Sequence, residues 1–122
     1  MNKVTTLFLL MMFFMPVVQA QDWTNEEIVN AIYIAEGGKK AQFPYGIRSI
    51  KCSGEAECRQ ICLNTVRNNR RRFTKQTEYK DFISFLGSRY CPTKGNLSPA
   101  ERKLNGNWVP NVRRLLEKGR NA

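Results

Sequence analysis

Apolar residues recur at helical spacing in four stretches after residue 21, and this periodicity constrains the fold more than any other feature of the sequence. Each stretch follows a residue whose side chain can cap the first turn of a helix, namely Thr24, Ser53, Thr77 and Asn107. Glycines, prolines and polar residues separate the four stretches. The pattern therefore predicts a mainly α-helical domain.

The predicted helices cover about residues 25–36, 54–73, 78–90 and 108–119. The first carries a capping-box pattern at its start and a Gly-Gly stop at its end. Between the first two helices, residues 39–53 contain a Phe-Pro-Tyr-Gly turn and then a short alternating stretch, so we expect a short hairpin or an extended loop. The polar segment before the last helix, with two glycines and a proline, is predicted to be a loop.

The first twenty residues are predicted to be a secretory signal peptide. Lys3 supplies the positive region, residues 7–18 form the apolar core, and residues 18–20 resemble a small-x-small cleavage site. The apolar core is too short to span a bilayer comfortably. The predicted mature chain is residues 21–122. We expect it to be one small monomeric domain, periplasmic or secreted, without stable membrane insertion after cleavage.

All four cysteines lie in the predicted mature chain. An even cysteine count in a small exported domain indicates two disulfides, since a domain of this size buries a limited core. Cys58 and Cys62 lie four residues apart on one predicted helix, where bridging is usually prevented. We therefore predict the pairs Cys52–Cys58 and Cys62–Cys91, although three pairings are formally open. The chain has no histidine and no zinc-type cysteine spacing, so neither a metal ion nor another cofactor is expected.

The chain is strongly basic. Its formal net charge is +10, and loss of Lys3 with the signal peptide leaves +9. Such a surface favours polyanions, and export makes a wall or envelope partner a better expectation than nucleic acid. The arginine run at residues 67–72 is interpreted as a solvated helix end. Its functional alternatives are contact with anionic wall glycan, peptide carboxylates or phosphates, or with nucleic acid or membranes.

Glu36 is the strongest candidate for a catalytic residue. It ends the apolar stretch 28–35 and is followed at once by Gly37-Gly38. Apolar surroundings favour the protonated form of a carboxyl, and a carboxyl that keeps its proton near neutral pH can act as a general acid. The alternative is an ordinary helix-terminal acid paired with Lys39 or Lys40. The lack of histidine excludes Ser-His-Asp and Cys-His sites.

Four short motifs resemble the lysozyme-like superfamily, closest to lytic transglycosylases and small phage-type or exported muramidases. They occupy residues 35–38, 45–49, 88–90 and 107–109. In that family a catalytic Glu ends a helix before a Gly-rich stretch, as Glu36 does here. The resemblance implies a small lysozyme-like helical domain that cleaves the MurNAc–GlcNAc bond of peptidoglycan glycan strands. It implies Glu36 as the catalytic residue and Tyr45, Gly46, Ser49 and Tyr90 as substrate-binding residues.

The distribution of acidic residues favours one version of this chemistry. Glycoside hydrolysis usually uses two carboxylates, but no second acid occurs in the loop or strand predicted after Glu36. A single-acid mechanism, as in the transglycosylases that the chain resembles, is therefore expected. A non-catalytic protein that binds cell-wall or envelope glycan is the alternative. Aromatic residues such as Tyr90 and Trp108 are more often core residues than binding residues, and Tyr45 could equally be turn packing. Asp81 beside Lys80 could be a solvated pair.

Overall fold

The structure is a computed structural model that describes residues 22–122, so the predicted signal peptide lies outside the described residues. Five α-helices follow one another, α1 (Asn25–Ala35), α2 (Gly54–Phe73), α3 (Phe82–Tyr90), α4 (Pro99–Asn105) and α5 (Trp108–Arg120). No strand occurs within residues 22–122, which confirms the mainly helical prediction. None of the helices in this range has the length and apolar composition needed to cross a bilayer.

The connection between α1 and α2 is an extended loop, and the hairpin alternative is not seen. Two 3₁₀ turns interrupt it, the first at Gly38–Lys40 and the second at Pro44–Gly46. The alternating stretch that follows, residues 47–50, forms no ladder with any other described segment. The second 3₁₀ turn packs against both α1 and α2, so the loop is attached to the core at its middle.

Helix α1 begins as the sequence predicts and occupies the centre of the domain. Thr24 Oγ1 accepts the Glu27 backbone N–H and Glu27 Oε1 accepts the Thr24 N–H, both at 3.1 Å. The helix packs against α2, α5 and the second 3₁₀ turn. Ile28, Val29 and Ile32 are fully buried, and removing such a side chain from water stabilises the fold by about 1.5–3 kcal/mol. This packing fixes where the last residue of α1 lies.

Helix α3 begins later than predicted because Asp81, and not Thr77, caps it. Asp81 Oδ1 accepts the backbone N–H of Ser84 at 2.9 Å, and Arg113 of α5 donates to the same carboxylate at 2.9 Å. Burial raises the pKa of Asp81, but the hydrogen bonds from Ser84 and Arg113 outweigh it and hold that pKa below its usual value. Asp81 therefore ties α3 to α5 and does not pair with Lys80.

Helix α4 lies inside the segment that was predicted to be a loop. Ser98 Oγ accepts the Glu101 N–H at 3.1 Å, Glu101 Oε2 accepts the Ser98 N–H at 2.8 Å, and Pro99 occupies the first turn. These are the parts of a capping box with proline at the first helical position. The helix is only seven residues long, and it carries Glu101 and Leu104.

One of the two predicted disulfides is formed. Cys52 and Cys58 are bonded, whereas Cys62 and Cys91 are free, so the predicted Cys62–Cys91 bridge is wrong. Cys62 is fully buried on α2, and its sulfur lies 3.5 Å from the Tyr90 hydroxyl. At the end of α3 it therefore contacts the phenol of Tyr90 and is not bonded to Cys91. Burial raises the pKa of both free thiols to about 11, which keeps them protonated near neutral pH.

Candidate active site

Glu36 is the C-cap residue of α1, and its carboxylate is held from the far end of the chain. Its backbone N–H donates to Ile32 O at 2.9 Å, and Gly37 then takes a left-handed conformation that ends the helix. The side chain is half-buried, and Oε1 accepts the indole N–H of Trp108 at 3.0 Å. Among residues 22–122, no Lys or Arg nitrogen lies within 4.0 Å of this carboxylate, so the alternative of an ordinary surface ion pair is not seen.

Gly46 covers the Glu36 carboxyl with bare backbone. A Cβ at residue 46 would lie 2.8 Å from Glu36 Cδ and 3.0 Å from each carboxylate oxygen. Gly46 also has a φ of +69°, where side chains are disfavoured. Two independent requirements, the backbone conformation and the close approach, therefore select glycine at this position.

Tyr45 is part of the support of this site and not of its surface. Its backbone is left-handed, with a φ of +58°, which is uncommon for a residue with a side chain. Its ring is 1% exposed and packs on Tyr33 with 5.1 Å between ring centroids. Its carbonyl oxygen accepts the Tyr90 hydroxyl at 2.9 Å. Burial of the ring and this hydrogen bond offset the backbone strain and fix the turn that carries Gly46.

The contacts around Glu36 form a closed ring through four elements. The Glu36 carboxylate accepts from Trp108, whose ring stacks on Tyr90 with centroids 5.2 Å apart, and Tyr90 donates to the turn of Tyr45 and Gly46. Burial raises the pKa of the Tyr90 phenol, which therefore stays protonated and remains a donor. Locking a reactive group through such supporting contacts is how catalytic geometry is preorganised.

The carboxylate of Glu36 lines an open groove of about 500 Å³, a volume suited to a ligand of a few sugar rings or less. The extended loop forms one wall and the segment from Tyr90 to α4 forms the other. Ten residues line the groove, Glu36, Gly46, Arg48, Ser49, Tyr90, Cys91, Leu97, Glu101, Leu104 and Asn105. The structure thus brings together four of the five residues predicted for the site, while the ring of Tyr45 lies in the core.

Glu101 gives the groove a second carboxylate, which was not among the residues predicted for the site. It lies far from Glu36 in sequence and lines the groove together with Tyr90 and Cys91 at the end of α3. Hydrogen bonding to the backbone of Ser98 lowers the pKa of Glu101, so it is ionised at neutral pH. The groove therefore carries the carboxylates of both Glu36 and Glu101.

The missed residues differ in whether the sequence carried a signal for them. The Ser98-Pro99-Ala100-Glu101 motif is a capping box with proline in the first turn, and reading it as such would have predicted α4. The expectation that Trp108 is a core aromatic agrees with its exposure of 6%. No local pattern could have shown that its N–H is directed at Glu36, because the two residues are 72 positions apart.

No cluster of three or more His, Cys, Asp or Glu side chains within residues 22–122 is arranged to hold a metal ion. No protein-family model, curated protein or solved structure matches the chain. Function is therefore assigned from the chemistry and geometry of the groove.

Proposed function

We propose that the protein is an exported peptidoglycan-cleaving enzyme that acts on the MurNAc–GlcNAc bond, with Glu36 as its general acid. The observation that carries this proposal is the position of the Glu36 carboxylate, which is fixed by Trp108 and Gly46 and faces an open groove. A general acid must hold its proton within hydrogen-bond reach of the leaving oxygen. A carboxyl anchored from behind and open in front meets the positional part of that requirement.

In the proposed reaction the glycan strand lies along the groove with the scissile oxygen over Glu36. Glu36 donates its proton to the glycosidic oxygen as the C1–O bond breaks, which leaves the carboxylate ionised. That carboxylate then accepts the proton of the MurNAc 6-hydroxyl, whose oxygen bonds to C1 and closes an anhydro ring. This single-acid route is the reaction of a lytic transglycosylase.

Glu101 offers the hydrolytic alternative. An ionised carboxylate in the same groove can take a proton from water or stabilise positive charge at C1, and the product is then a reducing sugar. Glu101→Gln separates the two routes, because glutamine also serves in a capping box and α4 keeps its N-terminal hydrogen bonds. Loss of cleavage in this variant assigns the hydrolytic route, and retained cleavage assigns the single-acid route.

The test is digestion of purified peptidoglycan followed by mass spectrometry of the released fragments. The wild-type protein is expected to release either anhydro-muramyl ends or reducing ends, and the former are one water lighter. Glu36→Gln should reduce the rate by at least about 100-fold, since general acid–base catalysis contributes about that much. Glu117→Gln, which removes an exposed carboxylate of α5, should cleave at the wild-type rate.

Two results would contradict the enzyme assignment. Equal cleavage by wild type and Glu36→Gln would remove Glu36 from the chemistry. Binding of glycan strands by the wild type with no product of either mass would instead identify a non-catalytic glycan-binding protein of the wall or envelope.

A further inference from the structure

The exposed face of the second half of α2 carries a row of positive side chains. Arg67, Arg71 and Lys75 follow one another at four-residue spacing, which places them along one line of the helix surface and its C-terminal continuation. Arg72 lies beside this line. With two asparagines on the same face they form what we call the α2 basic row, which consists of the exposed residues Asn64, Arg67, Asn68, Arg71, Arg72 and Lys75.

The cations of the α2 basic row have no counter-ions among the described residues. Four basic side chains elsewhere pair with carboxylates, in Arg59–Glu26, Lys94–Glu78, Arg113–Asp81 and Arg120–Glu27. Within residues 22–122 no carboxylate lies within 4.0 Å of a basic group of the row. Like charges four residues apart on a helix repel each other. The helix dipole favours positive charge only in the last turn, and Arg67 lies before that turn. A bound polyanion would relieve this repulsion.

The row also lines a continuous depression of the surface. One part, of about 510 Å³, is bounded by Asn25, Asn64, Arg67, Asn68, Arg70 and Arg71. The next part, of about 400 Å³, is bounded by Asn68, Arg71, Arg72 and Lys75. Asn68 and Arg71 belong to both parts and are hydrogen-bonded to each other. No acidic residue lines either part. The two parts follow one another along α2, which suits an extended chain.

Arg70 bounds the depression but is committed to the fold. Its guanidinium donates to Asn25 Oδ1 and to the carbonyl of Trp23, and it lies over the Phe82 ring at 4.5 Å. It therefore fixes α2 against α1 and α3, and holds the row in position. The side chains of the row itself are the ones with unused donors.

We propose that the α2 basic row binds a linear phosphodiester polymer that carries no bases, of the polyol-phosphate kind. The guanidinium fork matches phosphate bidentately, and residues four apart on a helix repeat about every 6 Å along its axis, comparable to successive phosphates of an extended chain. This site is separate from the Glu36 groove, with which it shares no residue.

Two other polyanionic partners fit the row less well. Single-stranded nucleic acid is held by bases stacked on aromatic side chains, and the row contains no aromatic residue. The nearby Phe73 ring packs on Phe82 and Phe85 instead. Membrane surfaces engage apolar side chains beside the charges. The exposed large apolar residues of the described chain, Ile34, Phe43, Ile50 and Leu104, all lie outside the row.

The test is the binding of the protein to labelled polyglycerol phosphate at several salt concentrations. The variant R67Q/R71Q/R72Q/K75Q should weaken binding by at least about tenfold, and the slope of log affinity against log salt should fall by about 3, because each contact in a single-stranded polyanion contributes about 0.7. The matched control K39Q/R89Q/R102Q/R114Q also removes three Arg and one Lys, all exposed, but from scattered positions. It should weaken binding by less than about threefold.

Thermal melts and circular dichroism establish that both variants are folded. A second variant, R67K/R71K/R72K, retains every charge but loses the guanidinium forks, so an intermediate loss of affinity is expected. Equal weakening by the four-charge variant and its control would overturn the proposal, as would no weakening by either. Tighter binding of oligo-dT or of anionic lipid vesicles than of polyglycerol phosphate would overturn the choice of polymer. None of these results depends on whether Glu36 is catalytic.

Discussion

At the scale of single residues, the position of the Glu36 carboxylate depends on one indole N–H. Trp108→Phe removes that donor and keeps an aromatic ring stacked on Tyr90. In the proposed reaction the indole N–H stabilises the negative charge that develops on Glu36 as its proton leaves. A hydrogen bond to a charged group contributes about 1.5–3 kcal/mol, so we expect kcat for peptidoglycan cleavage to fall about tenfold or more with KM little changed. Trp23→Phe is the matched control, because Trp23 lies under Arg120 and outside the groove. Equal losses in both variants would show that Trp108 has no special role.

Gly46 allows conformational strain to be separated from the close approach to Glu36. Gly46→Ala adds a left-handed alanine and a Cβ 2.8 Å from Glu36 Cδ, whereas Gly54→Ala adds a left-handed alanine at φ +79° with no atom within 4 Å. Both should lose about 1–2 kcal/mol of unfolding free energy. Only Gly46→Ala should also lose about 100-fold in cleavage rate, because it displaces the carboxyl. Activity assays and denaturant melts of the pair provide the measurement, and a fully active Gly46→Ala would contradict this geometry.

The two free cysteines make a prediction that a thiol count can check. The denatured, unreduced chain should take up two maleimide groups, at Cys62 and Cys91. In the folded protein the pKa of each thiol is raised to about 11 by burial, so alkylation should be slow at pH 7 and should accelerate as the pH approaches 11. A count of zero thiols by mass spectrometry would instead establish a Cys62–Cys91 bridge.

At the scale of elements, the ends of a helix were predictable where one capping residue precedes apolar residues at helical spacing. The Thr24–Glu27 box and the Gly-Gly stop fixed both ends of α1. Two candidate caps precede α3, and Asp81 prevails over Thr77 because Arg113 of α5 also binds its carboxylate, a tertiary contact that local sequence does not contain. Helix α4 was missed because it buries none of its residues and so has no apolar stripe.

The packing of α3 on α5 brings Trp108 to the site, and Gly87 controls it. A Cβ at residue 87 would lie 2.3 Å from Val109 Cγ2 and 3.2 Å from the Trp108 ring. Gly87→Ala is therefore expected to cost about 1–3 kcal/mol of unfolding free energy through overpacking. Gly119→Ala, with no atom within 4 Å, should be neutral or stabilising by up to about 1 kcal/mol. Denaturant melts compare the two.

A second substitution tests whether steric contact is the cause. In the double variant Gly87→Ala, Val109→Ala, the clashing methyl group is gone, so part of the lost stability should return. A Gly87→Ala variant as stable as wild type would show that α3 and α5 do not pack this closely at Gly87.

At the scale of the whole molecule, the candidate site is assembled from segments that the sequence separates widely. The local pattern predicted Glu36, and the resemblance to lysozyme-like proteins implied Gly46, Ser49 and Tyr90. The tertiary fold adds Trp108 and Glu101, because α5 packs along α1 and α4 lines the groove. Local sequence patterns do not reveal how the helices are placed relative to one another, because that placement depends on long-range packing.

The packing of α5 along α1 also joins the two ends of the described chain, and we call this contact the α1–α5 closure. It makes stability depend on pH. Arg120 near the end of α5 donates twice to Glu27 in the first turn of α1, at 2.8 and 2.9 Å, and its guanidinium lies 3.9 Å over the Trp23 ring. The hydrogen bond from Arg120, then that from the Thr24 backbone, lowers the pKa of Glu27 from 4.5 to about 2. Since the folded-state pKa is the lower one, this contribution to stability is complete above about pH 5 and is lost as the pH falls toward 2.

Glu27→Gln isolates that contribution, because glutamine still completes the capping box while the ion pair with Arg120 is lost. The wild type should melt at a higher temperature than Glu27→Gln near pH 7, and the gap should close between about pH 4.5 and 2. Glu117→Gln, which removes an exposed charge from the same helix as Arg120, should show no such closing gap. A difference in melting temperature between wild type and Glu27→Gln that persists unchanged at pH 2 would mean that the α1–α5 closure does not depend on this ionised carboxylate.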